Sequence, residues 1–92
     1  MARNPKSDNQ AALKAGFSVQ HIGLRTERRI ILGQNVARLR ESRGLTQEKL
    51  AELVDVDRRY IQRIEAGTAN PGIDVLARLK SALSASWTKL LD

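Results

Sequence analysis

Four side chains rich in hydrogen-bond donors lie close together in the middle of the chain: Arg58, Arg59, Gln62 and Arg63. At about 100° per residue, a helix over residues 57–65 would separate them from an apolar side made of Tyr60, Ile61 and Ile64. Arginine can donate a planar fork to the edge of guanine, and glutamine can pair with adenine. This face therefore has the chemistry to recognise nucleic acid bases, although a solvated basic stripe without a function would have the same composition.

Two helices are predicted before this face. The first runs from about Glu27 to Ser42 and ends at Arg43-Gly44, because glycine suits the left-handed conformation that closes helices. Its apolar positions are spaced four and three apart on one face: Leu32, Val36 and Leu39. Thr46 can cap a second helix from Gln47 to about Leu53, whose predicted inward side chains are Leu50, Ala51 and Leu53.

The basic face itself is predicted to lie on a third helix, from Arg58 to about Ala66. Asp57 can cap this helix and Gly67 can end it. A fourth helix from about Ile73 to Leu83 follows a turn, and Ser86 can cap a short fifth helix. Because no strand pattern is visible, the predicted fold class is all-α.

Residues 1–26 differ from residues 27–92 because their apolar residues are scattered. The pattern predicts a basic N-terminal arm that is partly helical, with Ser7 and Gln10 capping a short helix over residues 9–15. Residues 27–92 are predicted to form the folded domain.

The composition excludes several classes of function. The 92 residues include no cysteine and one histidine, His21, which removes disulfides, thiolate chemistry and two-histidine metal sites. We therefore expect neither an enzyme nor a metal or cofactor site. A formal net charge of +6 favours a polyanionic partner such as nucleic acid. Since neither a bilayer-spanning apolar run nor a signal peptide is visible, we expect a cytoplasmic protein without a membrane role.

From about residue 30 to residue 91 the sequence resembles the Cro/C1-type helix-turn-helix family, which includes phage repressors and restriction-modification controller proteins. The resemblance depends on the combined spacing of Arg40, Gly44-Leu45-Thr46-Gln47, Leu50-Ala51, Ile61, Ile64-Glu65, Gly67, Pro71, Leu76 and Leu83. It implies a compact five-helix, lambda-repressor-like DNA-binding domain with an N-terminal extension. It also implies a two-fold dimer on a palindromic operator.

The same resemblance implies roles for individual residues. Gln47, at the start of the second helix, would touch a phosphate of double-stranded DNA. Thr68 and Asn70 match a loop that resembles a phosphate clamp in the family, although a Thr-Asn turn also forms for local reasons. On the third helix, Arg58 and Arg59 match positions that the family commonly uses to contact base edges. Gln62 and Arg63 lie one turn further along and would reach either bases or the DNA backbone.

Two further positions are structural. Arg40 and Glu65 match residues that form a partly buried ion pair between the first and third helices of the family. Asp55 departs from the family, which often has glycine in that turn, but aspartate tolerates the left-handed conformation better than most residues.

We therefore expect a sequence-specific, double-stranded DNA-binding transcriptional regulator that acts as a homodimer at an operator near a promoter. The alternative is a protein-interaction module, such as an antitoxin, whose DNA binding regulates its own gene. Trp87 would then contact the partner; otherwise it covers the end of the core or forms part of a dimer contact. The arm would wrap DNA, bind a partner, add a dimerisation element or remain solvated. The basic residues of the arm and its junction are Arg3, Lys6, Lys14, Arg25 and Arg28.

Overall fold

The computed structural model describes the backbone of residues 18–92 and the side chains of residues 26–92. Five α-helices follow one another in this part of the chain: α1 (Ser18–Ser42), α2 (Gln47–Val54), α3 (Arg58–Glu65), α4 (Ile73–Ala82) and α5 (Trp87–Leu91). No strand occurs among the described residues, so the all-α prediction is confirmed. The short helix predicted over residues 9–15 lies outside the described part of the chain.

The helix α1 is longer than the sequence pattern predicts. It already includes Ser18, the first residue with a described backbone, so the predicted start near Glu27 is wrong. Gly23 lies inside this helix. A single glycine within a helix costs about 1 kcal/mol relative to alanine, which weakens the helix without ending it. The predicted inward side chains of α1 do pack in the core or against it: Leu32, Val36 and Leu39.

The helix α2 begins after Thr46, whose hydroxyl accepts a hydrogen bond from the amide of Lys49 at 3.0 Å, as predicted for a cap. The helix continues to Val54, which is fully buried, whereas Leu53 is 50% exposed. The prediction that Leu53 faces inward is therefore wrong. It lies at the edge of the buried face, which is centred on Leu50, Ala51 and Val54.

A tight turn joins α2 to α3. Asp55 has a left-handed φ of 62°, so aspartate takes the conformation for which the family often uses glycine. Asp57 occupies the N-cap position of α3 as predicted, but its exposed side chain accepts no capping hydrogen bond, and that part of the prediction is wrong. After α3, Gly67 has a φ of 79°, which a side chain with a β-carbon would strain.

One apolar cluster joins all five helices and the loop after α3. Its buried members are Leu32, Val36, Leu50, Ala51, Val54, Ile61, Ile64, Ala69, Leu79, Leu83 and Leu90. Asn35 of α1 is buried beside them and donates from Nδ2 to the carbonyl oxygen of Leu90 at 2.9 Å. Ser86 caps α5 as predicted, since its hydroxyl accepts from the amide of Lys89 at 3.1 Å. Both ends of α5 are thus held by side chains.

The helix α1 crosses α3 at Gly33. A β-carbon built on Gly33 would be 2.8 Å from the carbonyl oxygen of Glu65 and closer still to that of Ile64. Two backbones approach this closely only where one of them carries no side chain. Gly33 therefore sets the position of α3 against α1, and with it the direction in which the opposite face of α3 points.

Candidate nucleic-acid interface

The helix α3 has one face in the core and the opposite face in solvent. Ile61 and Ile64 are 0% and 1% exposed, and Tyr60 packs against the same cluster. The two isoleucines fix the helix, because rotating it would expose them to water. On the outer side the structure places four exposed side chains: Arg58, Arg59, Gln62 and Arg63.

The outer face of α3 keeps its positive charge. In the part of the chain with described side chains, no carboxylate pairs with Arg58, Arg59 or Arg63. Arg63 instead lies over the ring of Tyr60, with its guanidinium carbon 5.7 Å from the ring centroid. These guanidinium groups therefore retain N–H donors for an anionic or base-edge partner.

The loop after α3 presents two exposed polar residues, Thr68 and Asn70, on either side of buried Ala69. The amide and the hydroxyl of Thr68 both donate to the carbonyl oxygen of Arg63, at 3.0 and 3.2 Å. Local hydrogen bonds thus account for the position of Thr68. The side chain of Asn70 is exposed.

Gln47 lies at the first position of α2, and its side chain already has a partner. Its Nε2 donates to Oε1 of Glu65 at 2.9 Å. The first backbone N–H groups of a helix have no acceptor within it. At the start of α2 the Thr46 hydroxyl accepts from the amide of Lys49, which leaves the N–H groups of Gln47 and Glu48 without a partner in the helix. An anion at this helix end would meet those backbone donors and the positive end of the helix dipole.

Arg40 and Glu65 form a two-point ion pair between α1 and α3. Nε of Arg40 lies 2.6 Å from Oε2 of Glu65, and Nη2 lies 3.2 Å from Oε1. The side chains are 13% and 9% exposed, and Nη1 of Arg40 also donates to the carbonyl oxygen of Leu45 at 2.8 Å. The hydrogen bond to Glu65 raises the pKa of Arg40, although burial opposes the shift. Together with Gln47, this cluster ties α1 and α2 to the end of α3.

Arg28 lies away from the basic face of α3. Its Nη1 donates to the carbonyl oxygen of Leu91 at 3.1 Å and is 3.9 Å from the carboxylate of Asp92, so it contacts the end of α5. The side chains of the other basic residues predicted for the arm and its junction are not among those described: Arg3, Lys6, Lys14 and Arg25. The same holds for His21.

Trp87 is partly exposed at the start of α5. Its side chain is 40% exposed, and Nζ of Lys80 lies 5.6 Å from the centroid of its ring. Leu90 on the same short helix is fully buried. The core is thus closed by Leu90, and Trp87 leaves part of its aromatic surface exposed.

Glu48 and Glu52 are exposed, and Glu52 pairs with Lys49 at 3.4 Å. Across the described residues, no group of three or more metal-ligating side chains is found. None of the helices in that part of the chain has the length and apolar character needed to cross a membrane.

Three important residues were not singled out by sequence reasoning. The sequence pattern does not predict the close approach of two backbones at Gly33, and it places Tyr60 on the apolar side of α3 without a role toward Arg63. Asn35 gives no signal in the sequence pattern. Only the packing of α1 against α5 shows that it is buried.

Comparison with known proteins points in one direction. A family model described as helix-turn-helix matches residues 36–90. Control protein C.BamHI of Bacillus amyloliquefaciens is 40% identical over 65 residues, which cover 70% of this chain and 80% of the relative. Control protein C.SmaI of Serratia marcescens is 39% identical over 61 residues, covering 66% of this chain and 73% of the relative.

Two solved structures have a similar fold. The restriction-modification controller protein C.AhdI from Aeromonas hydrophila matches with a TM-score of 0.64 at 34% identity, covering 67% of this chain and 94% of that protein. The clp gene regulator ClgR from Corynebacterium glutamicum matches with a TM-score of 0.66 at 32% identity, covering 68% of this chain and 67% of that protein. The match therefore extends over most of the described helices.

Proposed function

Because the chain belongs to the helix-turn-helix family of DNA-binding regulators, we propose that it recognises a specific double-stranded DNA operator near a promoter and thereby regulates transcription. One observation carries the proposal: Ile61 and Ile64 are buried, while the opposite side of α3 presents an exposed basic face that pairs with no carboxylate among residues 26–92. The relatives C.BamHI, C.SmaI and C.AhdI support a regulator of the controller type.

In this proposal α3 enters the major groove, where each base pair presents a distinct pattern of donors and acceptors. Arg58 and Arg59, near the start of the helix, would donate to the O6 and N7 atoms of guanine. Gln62 and Arg63, one turn further along, would reach a second base or a phosphate. Each well-formed two-point base contact contributes about 1–3 kcal/mol of discrimination against the wrong base.

Phosphate contacts would fix the register of α3 in the groove. The free backbone N–H groups of Gln47 and Glu48 at the start of α2 supply one such contact. The exposed side chain of Asn70, and the loop held by Thr68, supply a second on the other side of α3. The Gln47 side chain would act indirectly, because it holds Glu65 in place.

We propose that the chain acts as a homodimer. A two-fold dimer would place two copies of α3 about one helical turn apart, roughly 34 Å, on a palindromic operator. Trp87 supports this part of the proposal, because a partly exposed tryptophan beside a fully buried Leu90 suits a contact with a second copy. We assign the protein no enzymatic activity, and a cytoplasmic location follows from its proposed DNA partner.

Selection of bound duplexes from a pool of random sequences tests the function. We expect repeated rounds of binding to the intact protein to enrich one sequence with two-fold symmetry. Affinity for that sequence should fall with rising salt, because lysine and arginine release counterions from phosphates. Salt-dependent binding without any enriched sequence would reduce the proposal to nonspecific phosphate contact.

A further inference from the structure

Tyr60 and Arg63 form a contact whose position suggests a role in sequence recognition. They are three residues apart on α3, so their side chains are neighbours on the helix surface. The guanidinium carbon of Arg63 lies 5.7 Å from the ring centroid of Tyr60, within the range in which an aromatic ring attracts a cation. From this contact we propose that Tyr60 is a positioning residue that holds Arg63 for base recognition, an inference that rests on the proposed DNA-binding function.

The ring is a fixed support for the guanidinium. Tyr60 is partly buried and packs against the apolar cluster, next to fully buried Ile61. Arg63 is exposed, and among the described residues no carboxylate pairs with it. The ring face of Tyr60 is therefore a contact that limits the movement of the Arg63 side chain.

The backbone of Arg63 is fixed as well. Its carbonyl oxygen accepts hydrogen bonds from the amide and the hydroxyl of Thr68, at 3.0 and 3.2 Å. These bonds lie in the last turn of α3, where helices commonly fray. Arg63 is thus held at both ends, by Thr68 at its backbone and by Tyr60 at its guanidinium group.

The direction of the contact matters for recognition. Tyr60 precedes Arg63 by three residues, so contact with its ring draws the Arg63 side chain toward the N-terminus of α3. The ring attracts the cation through its negative face and offers no lone pair, so the N–H donors of Arg63 remain free for a base or a phosphate. Holding the side chain in advance also reduces the entropy lost when a ligand binds.

This arrangement distinguishes Tyr60 from an ordinary core residue. A residue that only packs would alter stability and leave base preference unchanged. A residue that orients Arg63 alters the preference for the bases that Arg63 meets. Its effect disappears when Arg63 is absent, because there is then no guanidinium to orient.

The test is a double-mutant cycle on the intact protein, with the duplex enriched from the random pool and a scrambled duplex of equal length. Tyr60→Leu keeps an apolar side chain but removes the ring, and Tyr60→Met replaces it if the leucine variant unfolds. We expect either to lower the ratio of the two affinities about two- to fivefold, the size of an exposed cation–ring contact. Tyr60→Phe, which keeps the ring, should restore the ratio.

Combination with a second substitution supplies the decisive comparison. In an Arg63→Ala background Tyr60→Leu should have no further effect on the ratio, whereas in an Arg58→Ala background it should keep its full effect. Full additivity with Arg63→Ala, or an equal loss of affinity for both duplexes, would overturn the inference. Failure of the unmodified protein to enrich any duplex would instead overturn the proposed function, so the two failures are distinguishable.

Discussion

The guanidinium group of Arg40 lies 2.6 Å from the carboxylate of Glu65, in a pair that joins the first helix to the end of the third. The pair is largely buried, and Glu65 also accepts a hydrogen bond from Gln47 on α2. The three helices that create the proposed interface thus meet at one carboxylate. The geometry of the outer face of α3 depends on this junction.

Removal of the Glu65 carboxylate is expected to destabilise the whole domain. Glu65→Ala leaves the charge of Arg40 buried without its partner, which costs roughly 3–5 kcal/mol in comparable pairs. The matched control is Glu52→Ala, which breaks an exposed pair with Lys49 and should cost less than about 1 kcal/mol. Thermal unfolding followed by circular dichroism measures both, and equal midpoints for the two variants would contradict the assigned role of Glu65.

Arg40 should contribute little to the pH dependence of stability near neutrality. The pKa of Arg40 is raised in the folded state, so its stabilising contribution is complete below the unfolded-state value and is lost only as pH rises through the folded-state value. Because Arg40 forms the ion pair with Glu65, we expect variants of Arg40 to lose DNA binding through unfolding. Their folded fraction must be measured beside their affinity.

Gly33→Ala is expected to lower stability although alanine is the better helix former. Its β-carbon would meet backbone carbonyl oxygens of α3, one of them at 2.8 Å, and backbone atoms cannot move aside as a flexible side chain can. Overpacking of this kind costs about 1–3 kcal/mol, more than the gain of about 1 kcal/mol in helix propensity.

The control for Gly33→Ala is Gln34→Ala, on the exposed side of the same helix turn. We expect the melting temperature of the Gln34 variant to stay within a few degrees of that of the unmodified protein, and that of the Gly33 variant to fall by about 4–8 °C for each kcal/mol lost. A Gly33 variant that melts at an unchanged or higher temperature would show that α1 and α3 are not in close contact.

Much of this fold could be predicted from apolar spacing and capping residues. Thr46 and Ser86 cap their helices as expected, and the buried side of α3 follows from the positions of Ile61 and Ile64. These features depend on residues close together in sequence, so the local sequence pattern is sufficient to predict them.

The remaining features depend on contacts between distant parts of the chain. Leu53 and Val54 are adjacent in sequence and both apolar. Val54 is buried and Leu53 is half exposed, and only packing against the other helices determines which of them is buried. The role of Gly33 likewise appears only when α3 is placed beside it. Asp57 occupies the N-cap position, but its side chain makes no capping hydrogen bond. A suitable residue type at a helix start is therefore not sufficient to predict that bond.

Arg59→Ala is expected to reduce discrimination without reducing stability, since its side chain is exposed and lacks a carboxylate partner among the described residues. The difference in binding free energy between operator and scrambled duplex should fall by about 1–3 kcal/mol, the size of one two-point base contact. Lys89→Ala removes the same charge from α5 and should change both affinities equally. An unchanged ratio for the Arg59 variant in a competition assay would remove Arg59 from the recognition residues.

Trp87 allows the proposed dimer to be tested. Trp87→Gln replaces the aromatic ring with a polar side chain at the exposed start of α5, and we expect it to shift the dimer–monomer equilibrium toward the monomer in sedimentation experiments. Thr88→Ala, at the neighbouring exposed position, should leave the equilibrium unchanged. A Trp87 variant that dimerises as the unmodified protein does would place the interface elsewhere.

Methylation of guanine N7, which lies in the major groove, tests the central claim most directly, because it blocks the acceptor that an arginine fork would use. In a binding-interference experiment on the selected duplex, we predict that methylation at a few symmetrically placed guanines prevents binding of the unmodified protein. The Arg59→Ala variant should become insensitive at one guanine of each half-site while it keeps the others. Binding that tolerates methylation at every guanine, or an Arg59 variant with the unmodified pattern, would contradict the account of α3 as the recognition helix.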